Sequence, residues 1–268
     1  MKDLVVIIPL HEYNKEIEPL LSKAIASVPE DIKILISCAN SLDDELKKAY
    51  KKNKNVSVTG ANPDAPTDFC SLVNYAVDCL KDEKWFSILE YDDIYSPIWF
   101  DNFKKYVDFY SYISVFVPLE DLIDASDNTF AGIGNEAPWA SSFSNEIGYI
   151  DNDCLQNFFD FYMTGSVFNV ADWKEVGGLK SPIKLTFWYE WLLRATYKGK
   201  KIFVIPKVGY THLLGRVGSL IESYKKTVDD KESNFWINIA RKDYFYKDVR
   251  EPVKYEYNAN KEIEDEEV

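Results

Sequence analysis

Short unbroken apolar runs alternate along the chain with stretches whose apolar residues recur every three or four positions. Leu4–Leu10 (LVVIIPL) is rich in β-branched residues and ends next to a proline, the pattern of a strand buried on both faces. Residues 17–28 place Ile17, Leu20, Leu21, Ala24, Ile25 and Val28 at helical spacing, and 32–37 (IKILIS) form a second run, so the chain opens with a β-α-β unit. The same alternation predicts a helix over 44–52, a strand over 56–59, a helix over 69–80 capped by Asp68, and a buried strand over 85–89. Ser96-Pro97 reads as an N-cap followed by proline at the first helical position, starting a helix over 98–110, and 113–118 reads as the next strand. Residues 118–155 are polar, aromatic and poorly periodic, as in a long functional loop region. Regular patterning returns with strands over 163–170 and 202–206, a helix over Phe187–Tyr197 and a final helix over 235–246. The tail 261–268 (KEIEDEEV) reads as a solvated, disordered end. There is no internal repeat.

Composition narrows the function. With 31 basic and 44 acidic residues among 268, the net charge is −13, which disfavours nucleic acid as a partner because a duplex is held by clustered Lys and Arg. The 46% hydrophobic content excludes wholesale disorder. No run approaches the roughly 18 to 20 apolar residues of a membrane helix, and Met1-Lys2-Asp3 leads into a strand rather than a signal peptide, so the expectation is a soluble cytoplasmic protein with no membrane span. Cys38, Cys70, Cys79 and Cys154 form no CxxC pair and read as free thiols. Only His11 and His212 are present, so any metal rests mainly on carboxylates, which favours Mg²⁺ or Mn²⁺ over zinc. A Walker loop, a G-x-G-x-x-G turn after the first strand and a G-x-S-x-G elbow are all absent.

The chemistry concentrates where the strand over 85–89 runs into Glu90-Tyr91-Asp92-Asp93. Open α/β sheets bind ligands at the carboxyl ends of their strands, and crowded acids repel one another unless a cation sits among them. Spacing alone equally allows a turn of solvated acids ahead of the next helix.

With those residues in place, the chain resembles the family 2 glycosyltransferases of the GT-A fold. The resemblance runs through Val5-Val6-Ile7-Ile8-Pro9 with Tyr13-Asn14, then Asn74, then Leu89-Glu90-Tyr91-Asp92-Asp93 in the place of "L-D-x-D-D". It continues with Val176-Gly177-Gly178-Leu179, with Tyr189-Glu190-Trp191-Leu192-Leu193-Arg194, and with Tyr210-Thr211-His212, Arg216 and Gly218-Ser219-Leu220, in family order over residues 4 to 220. It implies one α/β, Rossmann-like GT-A domain with a mixed, mainly parallel sheet flanked by helices. Residues 1–118 would form its nucleotide-sugar half and 119–220 its acceptor half, followed by a helical extension over 221–260 and the tail.

The resemblance further implies a metal-dependent transferase that moves a sugar from a nucleotide-diphospho-sugar to a hydroxyl of a glycan, protein or small molecule, with inversion. Mn²⁺ or Mg²⁺ would be held by Asp92 with Glu90 and His212. Pro9, His11, Tyr13, Asn40, Asp43, Asn74, Glu90, Tyr91, Asp93 and Arg216 are the implied donor contacts, and Trp188 and Gly165 the acceptor contacts. Two departures stand out. Ser37 to Asp44 lacks the family's usual acids for a uracil base, leaving Asn40 and Asp43. The acceptor helix carries Phe187-Trp188 where the family has the "E-D" pair whose Asp is the general base. Glu190, about 200° around the helix from Trp188, is the nearest carboxylate and the expected base, the alternative being a structural ion pair. A non-catalytic sugar- or protein-binding module that has lost its base is the rival function. A nucleotidyltransferase ranks below both, for want of a glycine- and lysine-rich triphosphate loop.

Overall fold

The computed structural model describes residues 1, 3–61, 66–142 and 146–245. Strand β1 (Leu4–Leu10) is buried along its whole length, and its alternating side chains enter two separate cores. Leu4, Val6 and Ile8 meet Leu21 and Ile25 of helix α1 (Ile17–Ala26), while Val5 and Ile7 meet Val73 and Ala76 of α3 (Phe69–Cys79). A strand covered on both faces needs apolar residues at every position, which is what the continuous run supplies. Asn14 starts α1 by accepting the Glu16 and Ile17 amides on Oδ1, and Asp68 caps α3 by accepting the Ser71 amide.

Strands β2 (Lys33–Cys38), β3 (Val56–Gly60) and β4 (Trp85–Ile88) lie parallel to β1, with α2 (Asp43–Ala49) between β2 and β3. Beyond β4 the sheet continues through β8 (Val167–Asn169), antiparallel, to β6 (Val115–Asp124) and β9 (Ile202–Leu214), which run parallel to each other, and ends at β5 (Ile94–Tyr95). The order is β3-β2-β1-β4-β8-β6-β9-β5, with β7 (Thr129–Gly134) paired to β6. Helix α4 (Trp99–Phe109) packs on the α1 side; α5 (Asn152–Asn157), α6 (Val170–Val176) and α7 (Phe187–Tyr197) cover the other, followed by α8 (Leu220–Thr227) and α9 (Asp230–Ala240). The fold is therefore a mixed, mainly parallel α/β sheet flanked by helices.

Several elements differ from the sequence expectation. The 118–155 loop is mostly ordered: β6 continues through Pro118 to Asp124 and turns back as β7. β9 likewise continues through Pro206 for eight more residues. Pro118 pairs with Ile205 and Leu119 with Val208, so Pro206 and Lys207 drop out of register, as Gly209 does before Glu120 meets Tyr210. A proline cannot donate to a ladder, and a bulge is where that donor is not required. The strand expected over 163–170 shrinks to three residues because Asn169 caps α6 by accepting the Asp172 amide. Ser96 and Pro97 form a turn, with the Trp99 amide donating to the Ser96 carbonyl, and helix α4 starts at Trp99. The last helix begins at Asp230 and ends at Ala240 in a wider turn over Arg241–Phe245. The part of the expected extension beyond residue 245 and the tail 261–268 lie outside the described residues. Among the described residues, no helix is long and apolar enough to cross a membrane.

Gly209 lets β9 lie against α4: a Cβ there would stand 2.4 Å from the Trp99 ring and 2.9 Å from Pro118 Cβ. Both neighbours are core residues with no room to retreat. Gly209→Ala is expected to destabilise the fold by about 2 to 3 kcal/mol in urea unfolding; wild-type stability would show that β9 is not pinned there.

Candidate active site

The acidic turn after β4 is fastened to β9 although β8 and β6 lie between those strands. The His212 Nδ1–H donates to Asp93 Oδ2 at 3.0 Å, and the Leu213 amide donates to Asp93 Oδ1 at 2.8 Å. The Glu90 amide donates to the Tyr210 hydroxyl at 3.1 Å, and β5, directly after the turn, pairs antiparallel with the same stretch of β9. Burial alone would depress the His212 imidazole, but Asp93, Glu120 and Glu90 outweigh it and raise the group to about 10. The Glu90 carboxyl is pushed up to about 8 by burial and then by Asp93.

Arg216, just past the end of β9, reaches back over the turn. Its Nε–H donates to Asp92 Oδ2 at 2.5 Å, Nη2 donates to the Tyr91 hydroxyl, and the guanidinium lies 5.1 Å from the Tyr91 ring centroid. His11, just past the end of β1, also lies beside Tyr91, with ring centroids 6.1 Å apart. Glu120 on β6 is a site residue that the sequence reading missed. It is fully buried, neither carboxylate oxygen has a hydrogen-bond partner among the described residues, and burial drives its carboxyl well above the usual range. The available signal is an acid in phase with Phe116 and Leu122 on the inward face of an apolar strand.

A cavity of about 380 Å³ opens over these groups at the carboxyl ends of β1 and β4. Pro9, His11, Glu90, Tyr91, Asp92, Asp93, His212 and Arg216 line it on one side, and Trp188 lines it from the start of α7. Trp188 also stacks on Phe168, with ring planes 9° apart. Tyr13, Asn40, Asp43, Asn74, Gly165 and Glu190 are not among its walls. Tyr13 packs toward Tyr50 and is pushed up to about 12, chiefly by burial. Asn40 and Asp43 meet Gly60 at the carboxyl ends of β2 and β3, where Asp43 pairs with Lys47 at 2.5 Å. Asn74 grips the Leu179 backbone, donating to its carbonyl at 2.8 Å and accepting its amide at 2.9 Å. Gly178 makes room for that grip, since a Cβ there would fall 2.2 Å from Asn74 Oδ1. Gly165, at φ +77°, packs under the Tyr210 ring.

Glu190 faces away from the cavity. It is 2% exposed, takes a two-pronged bond from Arg194 at 2.9 Å on each oxygen, and pairs with Lys180 at 2.8 Å. Arg194 spends its remaining donors on the carbonyls of Val176, Gly177 and Gly178, so this acid fastens α7 to the turn after α6.

No family model matches the sequence, and no curated protein matches it. Solved structures do match. TarS of S. aureus, in complex with UDP-GlcNAc, aligns at a TM-score of 0.60 and 15% identity over 82% of this chain and 61% of that one. The mannosyltransferase PcManGT of Pyrobaculum calidifontis, in complex with GDP-Man and Mn²⁺, aligns at a TM-score of 0.59 and 11% identity over 81% and 58%. The fold is that of the GT-A glycosyltransferases. The chain spans about three fifths of the length of these two GT-A structures.

Within this GT-A sheet, Glu90, Asp93 and His212 each offer a ligand atom within 4.8 Å of the others. Two carboxylates and an imidazole suit a hard or borderline divalent cation. The local charge fits as well, because Glu90, Asp92, Asp93 and Glu120 gather there and Arg216 pairs with only one of them, Asp92. Asp92, the expected principal ligand, stands outside this group and is paired with Arg216.

Removing Glu190 leaves Arg194 buried without its counter-ion. Glu190→Ala is expected to cost roughly 3 kcal/mol of unfolding free energy; a loss under about 0.5 kcal/mol in denaturant titration would contradict the structural role.

Proposed function

We propose that the chain is a glycosyltransferase that moves a sugar from a nucleotide-diphospho-sugar to a hydroxyl acceptor with inversion at the anomeric carbon. The observation that carries this reading is the cavity itself. Its acidic, histidine-containing floor lies at the carboxyl ends of the parallel strands, and its size is in the range of small-molecule sites. The two GT-A structures named above carry UDP-GlcNAc and GDP-Man with Mn²⁺.

In this reading Glu90, Asp93 and His212 hold Mn²⁺ or Mg²⁺, with Asp92 beside them. When bound, the cation supplies Lewis-acid stabilisation for the charge that develops on the departing diphosphate. The Asp93–His212 bond fixes the orientation of the His212 ring in this cluster. Arg216 bonds a carboxylate, a phenol and the Val217 carbonyl, and its remaining N–H groups would meet phosphate oxygens. His11 and Pro9 border the donor, and the exposed part of Trp188 offers an aromatic surface for the apolar face of an acceptor sugar. Asn40 and Asp43, which meet Gly60 at the end of β3, would contact the base or ribose in this reading. The acceptor is a glycan, a protein or a small molecule.

The rival, a binding module without catalysis, draws on Phe187-Trp188 and on the sealed state of Glu190. Binding of UDP and GDP, with and without Mn²⁺, tests the donor site by thermal denaturation of wild type, Asp93→Asn and His212→Ala. Nucleotide at 100 times its dissociation constant is expected to stabilise the wild type by about 2.7 kcal/mol. The stabilisation should require Mn²⁺ and fall at least about tenfold in affinity in His212→Ala. No stabilisation of the wild type by either nucleotide would overturn the reading.

A further inference from the structure

Sugar transfer with inversion needs a base on the acceptor side, and α7 offers Phe187 and Trp188 at its start. Five carboxylates line the cavity: Glu90, Asp92, Asp93, Asp160 and Glu222. Four of them are engaged. Glu90 and Asp93 belong to the cluster with His212, Asp92 pairs with Arg216, and Glu222 pairs with Lys225 at 2.8 Å. The Asp160 side chain makes no hydrogen bond or ion pair among the described residues.

Its segment lies between the first turn of α7 and the acidic floor. Phe159 packs edge-on against Tyr189 at 6.3 Å, and Tyr162 lies against the His212 ring at 5.3 Å. The segment is also firmly held. Asn135 Nδ2 donates to the Tyr162 carbonyl at 2.8 Å, Asn135 Oδ1 accepts the Tyr162 amide at 3.0 Å, and the Gly165 amide donates to the Ile88 carbonyl at 2.7 Å. Phe161 is buried in the core, anchoring the neighbour of Asp160 on that side. The donor-side groups His11, Tyr91 and Arg216 come instead from β1, the acidic turn and the end of β9.

We propose that Asp160 is the general base, a carboxylate supplied from the segment facing α7 in place of the acids that α7 lacks. This assignment rests on the glycosyltransferase reading. The Asp160 carboxylate takes the proton of the acceptor hydroxyl as the oxygen forms its bond to the anomeric carbon. The bond from that carbon to the diphosphate oxygen breaks in the same step, and the nucleoside diphosphate leaves with the electron pair. A carboxylate without a partner inside the protein keeps its lone pairs available for the acceptor proton, which a sealed acid such as Glu190 does not.

The test uses the full chain with Mn²⁺ and either UDP-GlcNAc or GDP-mannose, and reads UDP or GDP release, because transfer to water reports the step without the natural acceptor. Asp160→Asn is expected to slow release by about 10²-fold or more, with the dissociation constant for UDP or GDP unchanged within about twofold. Asp160→Glu should recover at least about a tenth of wild-type release. Release by Asp160→Asn within about threefold of wild type, or a loss of nucleotide affinity that accounts for the slower rate, would overturn the base assignment alone. A wild type that binds neither nucleotide would overturn the glycosyltransferase reading and the base together.

Discussion

The two hydrogen bonds made by the Asp93 carboxylate hold the site together. One goes to an imidazole and one to a backbone amide of β9, and between them they fix the turn after β4 against a strand three positions away in the sheet. Asp93 is 3% exposed, so both bonds are shielded from water, and each is strengthened by the charge on the acid. The position of Glu90, the orientation of the His212 ring and the pairing of β5 with β9 all follow from that clamp. It works only because β9 continues past Pro206 to reach the turn.

The two prolines show where sequence pattern and structure part. The runs over 4–10, 32–37 and 85–89 are legible because a strand covered on both faces must be apolar throughout, and the helix Phe187–Tyr197 is bounded as its spacing predicts. Pro118 and Pro206 read as strand ends, yet in the sheet they meet at a bulge where no ladder donor is needed. That information resides in the pairing of two strands more than 80 residues apart, and no local window holds it. The consequence reaches the site, since Glu120, Tyr210 and His212 all lie beyond the bulge. Glu120 escaped notice because the strand carrying it was read as ending two residues earlier.

The candidate residues divide in the same way. Those that belong to strand ends, Pro9, His11, Glu90, Asp92, Asp93 and His212, converge on one cavity, because the topology sends parallel strands to a common edge. Asn74 and Gly178 have a different relation: the glycine is small so that the amide side chain of Asn74 can bond the Leu179 backbone. A pair of this kind is equally visible in sequence whether it serves a ligand or the fold, and only the coordinates distinguish the two. Glu190 shows the same ambiguity. Its spacing of four from Arg194 on one helix is the spacing of an ion pair, and burial has made that pair part of the core.

Electrostatics gives the central claim its force. Four neighbouring acids, Glu90, Asp92, Asp93 and Glu120, the first two and the last pushed above their ordinary range chiefly by burial, are costly to hold together on their own. In the proposed reading, a divalent cation held by Glu90, Asp93 and His212 would relieve that cost and would supply positive charge for a departing diphosphate. Anomalous diffraction at the manganese edge, from crystals grown with UDP and Mn²⁺, tests this most directly. The account predicts one manganese peak within bonding distance of Glu90, Asp93 and His212, with the diphosphate oxygens on its open side. UDP bound in the cavity with no manganese peak at these three residues would contradict it.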